Sequence, residues 1–403
     1  MAATVGSGVT ALIVLNFFMA DVRDGLGPYL AALLQTEGWD TAAIGLAMTA
    51  GGIVGMLATV PAGAWVDATR HKRTVLVAAS VLVTGGCLLL LWSTSTAVVG
   101  LSQLAIPLAG AVIPPAIAGI SLGIVGPKAF DRQLGGNEAA NHTGNVVSAT
   151  LGGAAAWFIG IVGVLLVQAA MTVGAIVATL AIPPKSIDHA RARGQASDTT
   201  APEKFTDLLR SGPLLVFALT MGFFHLGNAA MLPLVGLQLG ADGGSAGFWL
   251  SAAIVIAQLT MIPMALLTAR VAGSRGYRPI VVAALLVLPI RAACAALLPP
   301  FWSIVPVQIL DGVGAGLLGV ATPGMVARIM AGTGRFNAGL GAVMTLQGVG
   351  AALSPALGGW VADKFGYPIA FGVLGAIAFL AIPLFIGVGN GTAEPALAAA
   401  SSD

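Results

Sequence analysis

The sequence contains few charged residues. Aspartate, glutamate, lysine and arginine make up 8% of its 403 residues, whereas soluble proteins carry about 25%. Hydrophobic residues make up 57%, and the mean hydropathy is +0.94. This shortage excludes a soluble globular protein, because too few charged side chains remain to cover a water-exposed surface. We therefore expect a multi-pass protein whose partner is the lipid bilayer and not a nucleic acid.

The sequence also lacks the residues and motifs of metal sites, disulfides and nucleotide-driven machines. Its two cysteines, Cys87 and Cys294, lie in apolar segments, where thiols are more often packing residues than a disulfide or metal pair. No P-loop, G-x-S-x-G motif or zinc-ligand motif is present. We expect no cofactor, no bound metal and no enzymatic activity. The N-terminus has no basic n-region or A-x-A cleavage site, so we expect the first apolar segment to remain as a helix.

Apolar segments long enough to cross a bilayer follow one another along the chain. A bilayer core takes about 20 apolar residues per helix, and on this measure the sequence contains twelve segments. They are residues 9–34, 41–66, 74–92, 97–126, 138–160, 162–182, 211–238, 246–269, 279–298, 302–330, 334–360 and 368–388. The sequence predicts an all-α membrane protein with twelve transmembrane helices in two pseudo-symmetric six-helix bundles.

Two polar stretches set the expected domain boundaries. The longer one, residues 183–210, is rich in charged side chains and is predicted to be a solvated cytoplasmic linker. It separates an N-terminal six-helix bundle, residues 1–182, from a C-terminal six-helix bundle, residues 211–388. Residues 389–403 are predicted to be a disordered tail.

The lysines and arginines are distributed unevenly over the predicted loops. With the N-terminus inside, 15 of the 18 fall in cytoplasmic loops, Arg23 and Arg291 lie within helices, and Lys364 alone falls outside. Because cytoplasmic loops of membrane proteins carry an excess of lysine and arginine, we expect both termini to be cytoplasmic. The expected location is the plasma membrane, that is, a bacterial inner membrane.

The two halves of the chain repeat each other. The matched pairs are Pro61 with Pro263, Gly110 with Gly312, Gly144 with Gly350, Asp21 with His225 and Asp24 with Asn228. The offsets in this order are 202, 202, 206, 204 and 204 residues. Parallel repeats place a binding site at their interface near the bilayer midplane, and we expect the site there.

The loop after the second segment carries the most specific motif. Residues 63–73 read G-A-W-V-D-A-T-R-H-K-R and resemble the G-x-x-x-D-R-x-G-R-R/K signature of the major facilitator superfamily. Ala68 and Arg70 stand where the signature has arginine and its second glycine. With the twelve segments, the linker and the repeat, the resemblance covers the whole chain. It implies a secondary transporter that alternates between inward-open and outward-open states. Because the sequence has no recognisable ATP-binding motif, we expect an ion gradient to supply the energy, and we expect the protein to act as a monomer.

Gly63, Asp67, Arg70 and Arg73 are the candidate gate residues of this loop. Gly63 lets two helices approach closely. Asp67 is expected to act at the gate, held by an arginine or by the N-terminus of another helix. Arg70, Arg73 and the neighbouring Lys72 are expected to anchor the loop to lipid phosphates. In the simpler interpretation, the basic residues only set the topology.

Charged side chains inside the first segment are the leading candidates for binding a solute or a proton. Each charge at the bilayer centre costs about 2.5–3.5 kcal/mol on insertion scales, so it must pair or face water. Asp21, Arg23 and Asp24 lie near the middle of the segment. The two carboxylates suit coupling to protons or cations. Alternatively, Arg23 forms an internal ion pair with an aspartate of this cluster, and the pair fixes helix packing.

The fifth segment contributes a row of polar residues on one helix face, Glu138, His142 and Asn145. We expect Asn137 to cap this helix, with Glu138 in its first turn. His142 and Asn145 lie deeper and are candidates to line the cavity. A metal site at these positions is not expected, because no further histidine or cysteine lies nearby.

The C-terminal half contributes His225, Asn228 and Asp311. His225 lies near the midplane, where it is either a titrating residue or a hydrogen-bonded packing residue. Asn228 follows one turn later. Asp311 and Arg291 lie at similar depths in the tenth and ninth segments, so Asp311 either faces the cavity or forms a structural salt bridge with Arg291.

Three functions remain open at this point. The first is proton-linked efflux of a small organic compound, supported by the loop signature and the buried acids. The second is import or facilitated passage of a metabolite or metal chelate, with the buried charges binding the solute itself. The third, of another class, is a membrane sensor that transports nothing.

Overall fold

The computed structural model describes residues 2–22, 29–39, 41–195, 210–241 and 246–387, and all of the regular secondary structure in these residues is helical. The helices are α1 (Ala2–Val22), α2 (Tyr29–Thr36), α3 (Thr41–Ala68), α4 (Lys72–Trp92), α5 (Thr96–Gly110), α6 (Ile113–Ile159), α7 (Ile161–Ala181), α8 (Gly212–Asn228), α9 (Met231–Ala241), α10 (Ala246–Arg275), α11 (Arg278–Leu297), α12 (Pro300–Ile329), α13 (Phe336–Phe365) and α14 (Tyr367–Gly387). Every predicted apolar segment falls on one or two of these helices, which confirms the all-α membrane-protein class.

The helices have the length and composition of membrane spans. Ten stretches in the described part of the chain are long and apolar enough to cross a membrane. One of them, Thr96–Ile159, covers both the fourth and the fifth predicted segments, and a shorter apolar helix, Gly6–Val22, lies in the first. Many large apolar side chains on these helices are exposed, as lipid-facing side chains are.

The long helix α6 contains a reversal of the chain. Gly126 has φ 68° and ψ 174°, outside the helical region, and Pro127 follows it. Asn137 Nδ2 donates a hydrogen bond of 2.9 Å to Ser121 Oγ, although sixteen residues of straight helix would separate them by about 24 Å. Asn137 is buried within the helix, so the prediction that it caps the fifth helix is wrong. The helix continues back through Gly135 and Gly136 to the turn at Gly126.

The chain divides into two compact units, Met1–Asp198 and Thr199–Asp403. Within the first unit, α1 packs on α6 and α7, α3 packs on α5, and α4 packs on α5 and α7. Within the second unit, α8 packs on α13 and α14, α10 packs on α12, and α11 packs on α12 and α14. The helices therefore pair in the same order in both units, as pseudo-symmetric bundles require.

Two matched glycines mark the closest approach to the backbone of another helix in each unit. A Cβ atom on Gly144 would overlap the carbonyl oxygen of Phe17, and a Cβ atom on Gly350 would overlap that of Gly222. Phe17 and Gly222 are thus equivalent, at an offset of 205 residues. The offset of 204 that paired Asp21 with His225 is corrected by one residue, because the closest backbone contact sets the register.

The first part of the linker is folded against α6. It forms two single turns, Pro184–Ser186 and Arg191–Arg193. Asp188 donates its N–H to the carbonyl of Gly123 at 3.1 Å, and its Oδ1 accepts the N–H groups of Ala190 and Arg191, both at 3.0 Å. Residues 183–195 therefore carry local structure, because the side chain of Asp188 caps part of their backbone, while Pro184, Lys185 and Arg191 remain exposed. The rest of the linker, 196–209, and the predicted tail, 389–403, lie outside the described residues.

Candidate functional site

An ion pair joins the middle of α11 to α12 in the second unit. Arg291 is 1% exposed, and its Nη1 lies 2.8 Å from Oδ1 of Asp311. Its Nε donates to the carbonyl of Val307 at 3.2 Å. Val307 and Asp311 are one helical turn apart, so the guanidinium lies along a single turn of α12. The salt bridge that the sequence predicts between Arg291 and Asp311 is present.

A third helix reaches the ion pair through Asn228, the last residue of α8. Its Oδ1 accepts a short hydrogen bond from the same Nη1 of Arg291. Phe224, Leu288 and Gly314 line the cleft around these groups, which has essentially no volume open to water. Asn228, Arg291 and Asp311 therefore form a closed polar centre inside an apolar bundle, and we call them the polar triad.

The polar triad keeps capacity for further hydrogen bonds. Nη2 of Arg291 is buried and has no hydrogen-bond partner among the described residues, and the same holds for both amide atoms of Gln308. A buried polar atom without a partner costs about 1–3 kcal/mol, and native proteins contain few of them. The side chain of Asp311 is 16% exposed and Asn228 is likewise only partly buried, so Arg291 is the fully enclosed member of the triad.

His225 lies on α8 one turn before the triad's asparagine. Its Nδ1 is 2.9 Å from the carbonyl of Met221, and because a carbonyl only accepts, Nδ1 carries a proton. The ring also meets Phe224 edge to face, with centroids 5.4 Å apart. Both contacts are local to α8. They match the packing interpretation, and they leave Nε2 as the nitrogen that can bind another group.

In the first unit, polar side chains line the contact between α1 and α6. Asn141 donates through Nδ2 to the backbone carbonyl of Asn16 at 3.4 Å, and Asn145 donates to Oδ1 of Asn141 at 3.4 Å. Asn16 is itself buried and donates to the carbonyl of Leu12 at 2.8 Å. The candidate Asn145 therefore belongs to a polar seam that crosses from one helix to the other.

The other candidates of the first unit lie close to this seam in sequence. Nε2 of His142 is 3.9 Å from Oε2 of Glu138, one turn earlier on α6, with the histidine buried and the glutamate partly buried. Asp21 lies in the last turn of α1 and is half-buried. Arg23 and Asp24 lie outside the described residues, so their pairing stays a prediction.

The candidate gate loop follows α3. Gly63 and Asp67 are both buried at the end of this helix, and Arg70 is exposed beyond it. Asp67 is therefore a buried carboxylate in the last turn of α3, directly before the loop. Its action as a gate stays a prediction.

Two basic residues of this loop hold backbone carbonyls. Lys72 is buried and donates through Nζ to the carbonyl of Thr69 at 2.6 Å. Arg73 donates to Thr179 through Nε at 3.1 Å and to Leu180 through Nη2 at 2.6 Å. The prediction that Lys72 anchors the loop to lipid phosphates is therefore wrong, because its side chain is buried. For Arg73, which is only partly buried, lipid anchoring stays a prediction. The last carbonyls of α7 lack partners within their helix and carry its negative dipole end, so a nearby arginine caps them.

A multi-pass helical protein with two similarly packed units and an ion pair inside its apolar helices has the structure of a membrane transporter. The family model of the Major Facilitator Superfamily matches residues 10–290 and 228–401. The chain is 42% identical over 382 residues, 93% of its length and 91% of the relative's, to an uncharacterized MFS-type transporter of Mycobacterium tuberculosis. The chain belongs to the major facilitator superfamily.

The chain is also similar to a more distant protein in sequence and to two solved structures in fold. A multi-drug resistance efflux pump PmrA homolog of Lactococcus lactis is 27% identical over 178 residues, covering 42% of this chain and 43% of that protein. The human organic anion transporter MFSD10 superposes with a TM-score of 0.71 at 16% identity, covering 94% of this chain and 99% of that one. The transporter FucP, in its outward conformation, gives 0.72 at 13% identity, covering 95% and 98%.

Proposed function

We propose that the protein exports a small organic solute by alternating access and that protons drive the export. The observation that carries this proposal is the polar triad, in which the partly exposed carboxylate of Asp311 balances the buried charge of Arg291. Sequence similarity also supports export, since the relative from Lactococcus lactis is a multi-drug resistance efflux pump PmrA homolog.

The coupling follows from the chemistry of the ion pair. Protonation of Asp311 removes the negative charge that compensates Arg291, and an uncompensated buried charge is strongly unfavourable. The guanidinium then favours any arrangement that supplies another partner, such as water or an anionic group of the solute. Proton binding therefore shifts the balance between two packings of α8, α11 and α12.

The test measures transport of each compound of an organic-solute panel into or out of proteoliposomes with an imposed pH gradient. A pH-sensitive dye inside the proteoliposomes reports proton movement in the same experiment. For the wild type, we expect solute movement against its gradient together with proton movement. For Asp311→Asn and for the double variant Arg291→Leu/Asp311→Leu, we expect passive exchange without proton movement. Asp363→Asn, which removes an exposed carboxylate, is the matched control and should transport as the wild type does.

Two results would contradict the proposal. Gradient-driven transport that survives in Asp311→Asn would remove the triad from the coupling step, and the same assay on Asp21→Asn would then test the first helix. Accumulation in right-side-out vesicles, with no export from them, would favour the importer that the sequence also leaves open.

A further inference from the structure

A second cavity lies in the first unit and plays no part in the ion-pair chemistry. It has a volume of about 490 Å³, within the range of small-molecule sites, about 300–1,000 Å³. Its walls are the end of α2, the end of α4 with the loop that follows, and the start of α7. The basic loop residue Lys72 begins α4 and Trp92 ends it, so the cavity lies at the opposite end of the helix from that loop.

The wall contributed by α2 is held in place by its backbone. Gly38 has φ +83°, and the N–H groups of Glu37 and Trp39 donate to the carbonyls of Leu33 and Leu34 at 3.2 and 3.0 Å. This pattern ends a helix with a glycine in the left-handed region and fixes the residues on either side of it. Glu37 and Trp39 are thus presented to the cavity by a rigid turn.

Thr94 locks both side chains from the opposite wall. Its carbonyl accepts a hydrogen bond from Nε1 of Trp39 at 3.0 Å, and its Oγ1 donates to Oε2 of Glu37 at 3.3 Å. The indole and the carboxylate are therefore oriented before any ligand arrives. Trp92, 83% exposed, adds a second indole at the rim.

The charge and polarity of the lining select one class of ligand. Glu37 is the only charged residue among the described residues that line the cavity, and Ser93, Thr94 and Ser95 line its polar side. On the apolar side, Leu33 and Leu90 belong to a buried hydrophobic cluster against which Ile161 packs. A carboxylate beside two indoles attracts an organic cation through charge and cation–π contacts.

We propose that this cavity binds an amphipathic organic cation, with its ammonium group at Glu37 between Trp39 and Trp92 and its alkyl chain on Leu33, Leu90 and Ile161. The same alkylammonium chemistry occurs in free organic cations and in the headgroup of phosphatidylethanolamine. The site is separate from the proposed transport chemistry, because binding here requires neither a pH gradient nor Asp311.

The test measures equilibrium binding to the full-length protein in micelles of an uncharged maltoside detergent. The probe is radiolabelled decyltrimethylammonium, and decyl sulfate, with the same chain and the opposite charge, is the control ligand. We expect saturable binding of the cation only. Glu37→Gln should weaken it by about fivefold and Trp92→Ala by about threefold, whereas Asp363→Asn should bind as the wild type does. Both altered side chains are exposed, so the variants should fold normally.

Two outcomes would overturn the proposal: equal binding of decyl sulfate, or equal affinity in Glu37→Gln and Asp363→Asn. Added phosphatidylethanolamine, with phosphatidylglycerol as its control, then identifies the source of the ligand. Displacement of the probe by the former alone would indicate a lipid headgroup, and no displacement would indicate a free cation. If the cation does not bind as expected but gradient-driven transport is intact, the proposed cation site is wrong and the proposed transport function still stands.

Discussion

Arg291 and Asp311 join two consecutive helices of the second unit, with 2.8 Å between Nη1 and Oδ1, and the arginine is almost completely withdrawn from solvent. Breaking such a pair from one side leaves a buried charge without its partner. Replacing both members by apolar residues removes that cost. The pair can therefore be tested separately as a structural element and as a coupling element.

We expect Asp311→Asn to lower the free energy of unfolding by about 3–5 kcal/mol, because Arg291 then remains buried without a counter-charge. The double variant Arg291→Leu/Asp311→Leu should recover most of this loss while still failing to couple solute to protons. The measurement is denaturant unfolding in micelles. A double variant as unstable as the single one would show that the charge imbalance is not the cause.

Asn228 should contribute to stability through its bond to the guanidinium. Asn228→Ala removes the acceptor of a charge-assisted hydrogen bond from Arg291, and we expect a loss of about 1.5–3 kcal/mol by the same unfolding measurement. Asn145→Ala, which removes a longer bond of 3.4 Å between two neutral side chains, is the control and should cost clearly less. Equal losses would contradict the assignment of Asn228 to the polar triad.

The glycine contacts between α1 and α6 and between α8 and α13 should not tolerate a methyl group. Gly144→Ala and Gly350→Ala place a Cβ atom on a backbone carbonyl oxygen, whereas Gly153→Ala and Gly359→Ala place it in open space. We expect the first two to lower the thermal midpoint, and the other two to leave it unchanged or to raise it, since alanine favours a helix over glycine by roughly 1 kcal/mol. Similar midpoints for all four variants would contradict the packing described here.

Arg73 should stabilise the first unit by capping α7. Arg73→Ala removes two hydrogen bonds to the carbonyls of Thr179 and Leu180, and we expect a loss of about 1 kcal/mol, since the side chain is only partly buried. The exposed Arg132→Ala serves as the control for loss of one positive charge. If the two variants unfold alike in micelles and differ only when anionic lipid is added, lipid anchoring would be the better explanation.

The secondary structure followed from composition because the bilayer forces it. Each apolar segment needs its backbone hydrogen bonds satisfied internally, and a helix does this within one stretch of chain. This requirement does not predict where one helix ends and the next begins. Asn137 follows two consecutive glycines and resembles a helix cap, yet Asn137 lies inside a helix whose reversal is at Gly126. Glycine tolerates both a helix and a turn, so local composition does not distinguish them.

The candidate site was only partly predictable for a similar reason. Similar depths in consecutive helices were enough to suggest a salt bridge between Arg291 and Asp311 as one of two alternatives. The approach of Asn228 to the same guanidinium nitrogen depends on α8 packing beside α11 and α12, which no spacing within one helix reveals. Likewise, the basic residues of the loop indicated topology, but the partners of Arg73 lie more than 100 residues away.

By itself, the sequence determined a multi-pass helical protein with an internal repeat, because the cost of placing charge and unpaired backbone in lipid leaves few alternatives. Tertiary structure alone decided the one-residue change in the repeat register, the three-helix polar triad and the rigid cavity beside Thr94. Each of these depends on the distance between helices, and that distance is set by which side chains and glycines pack at the contact. The pattern of hydrophobic residues along the chain does not predict the distance between helices.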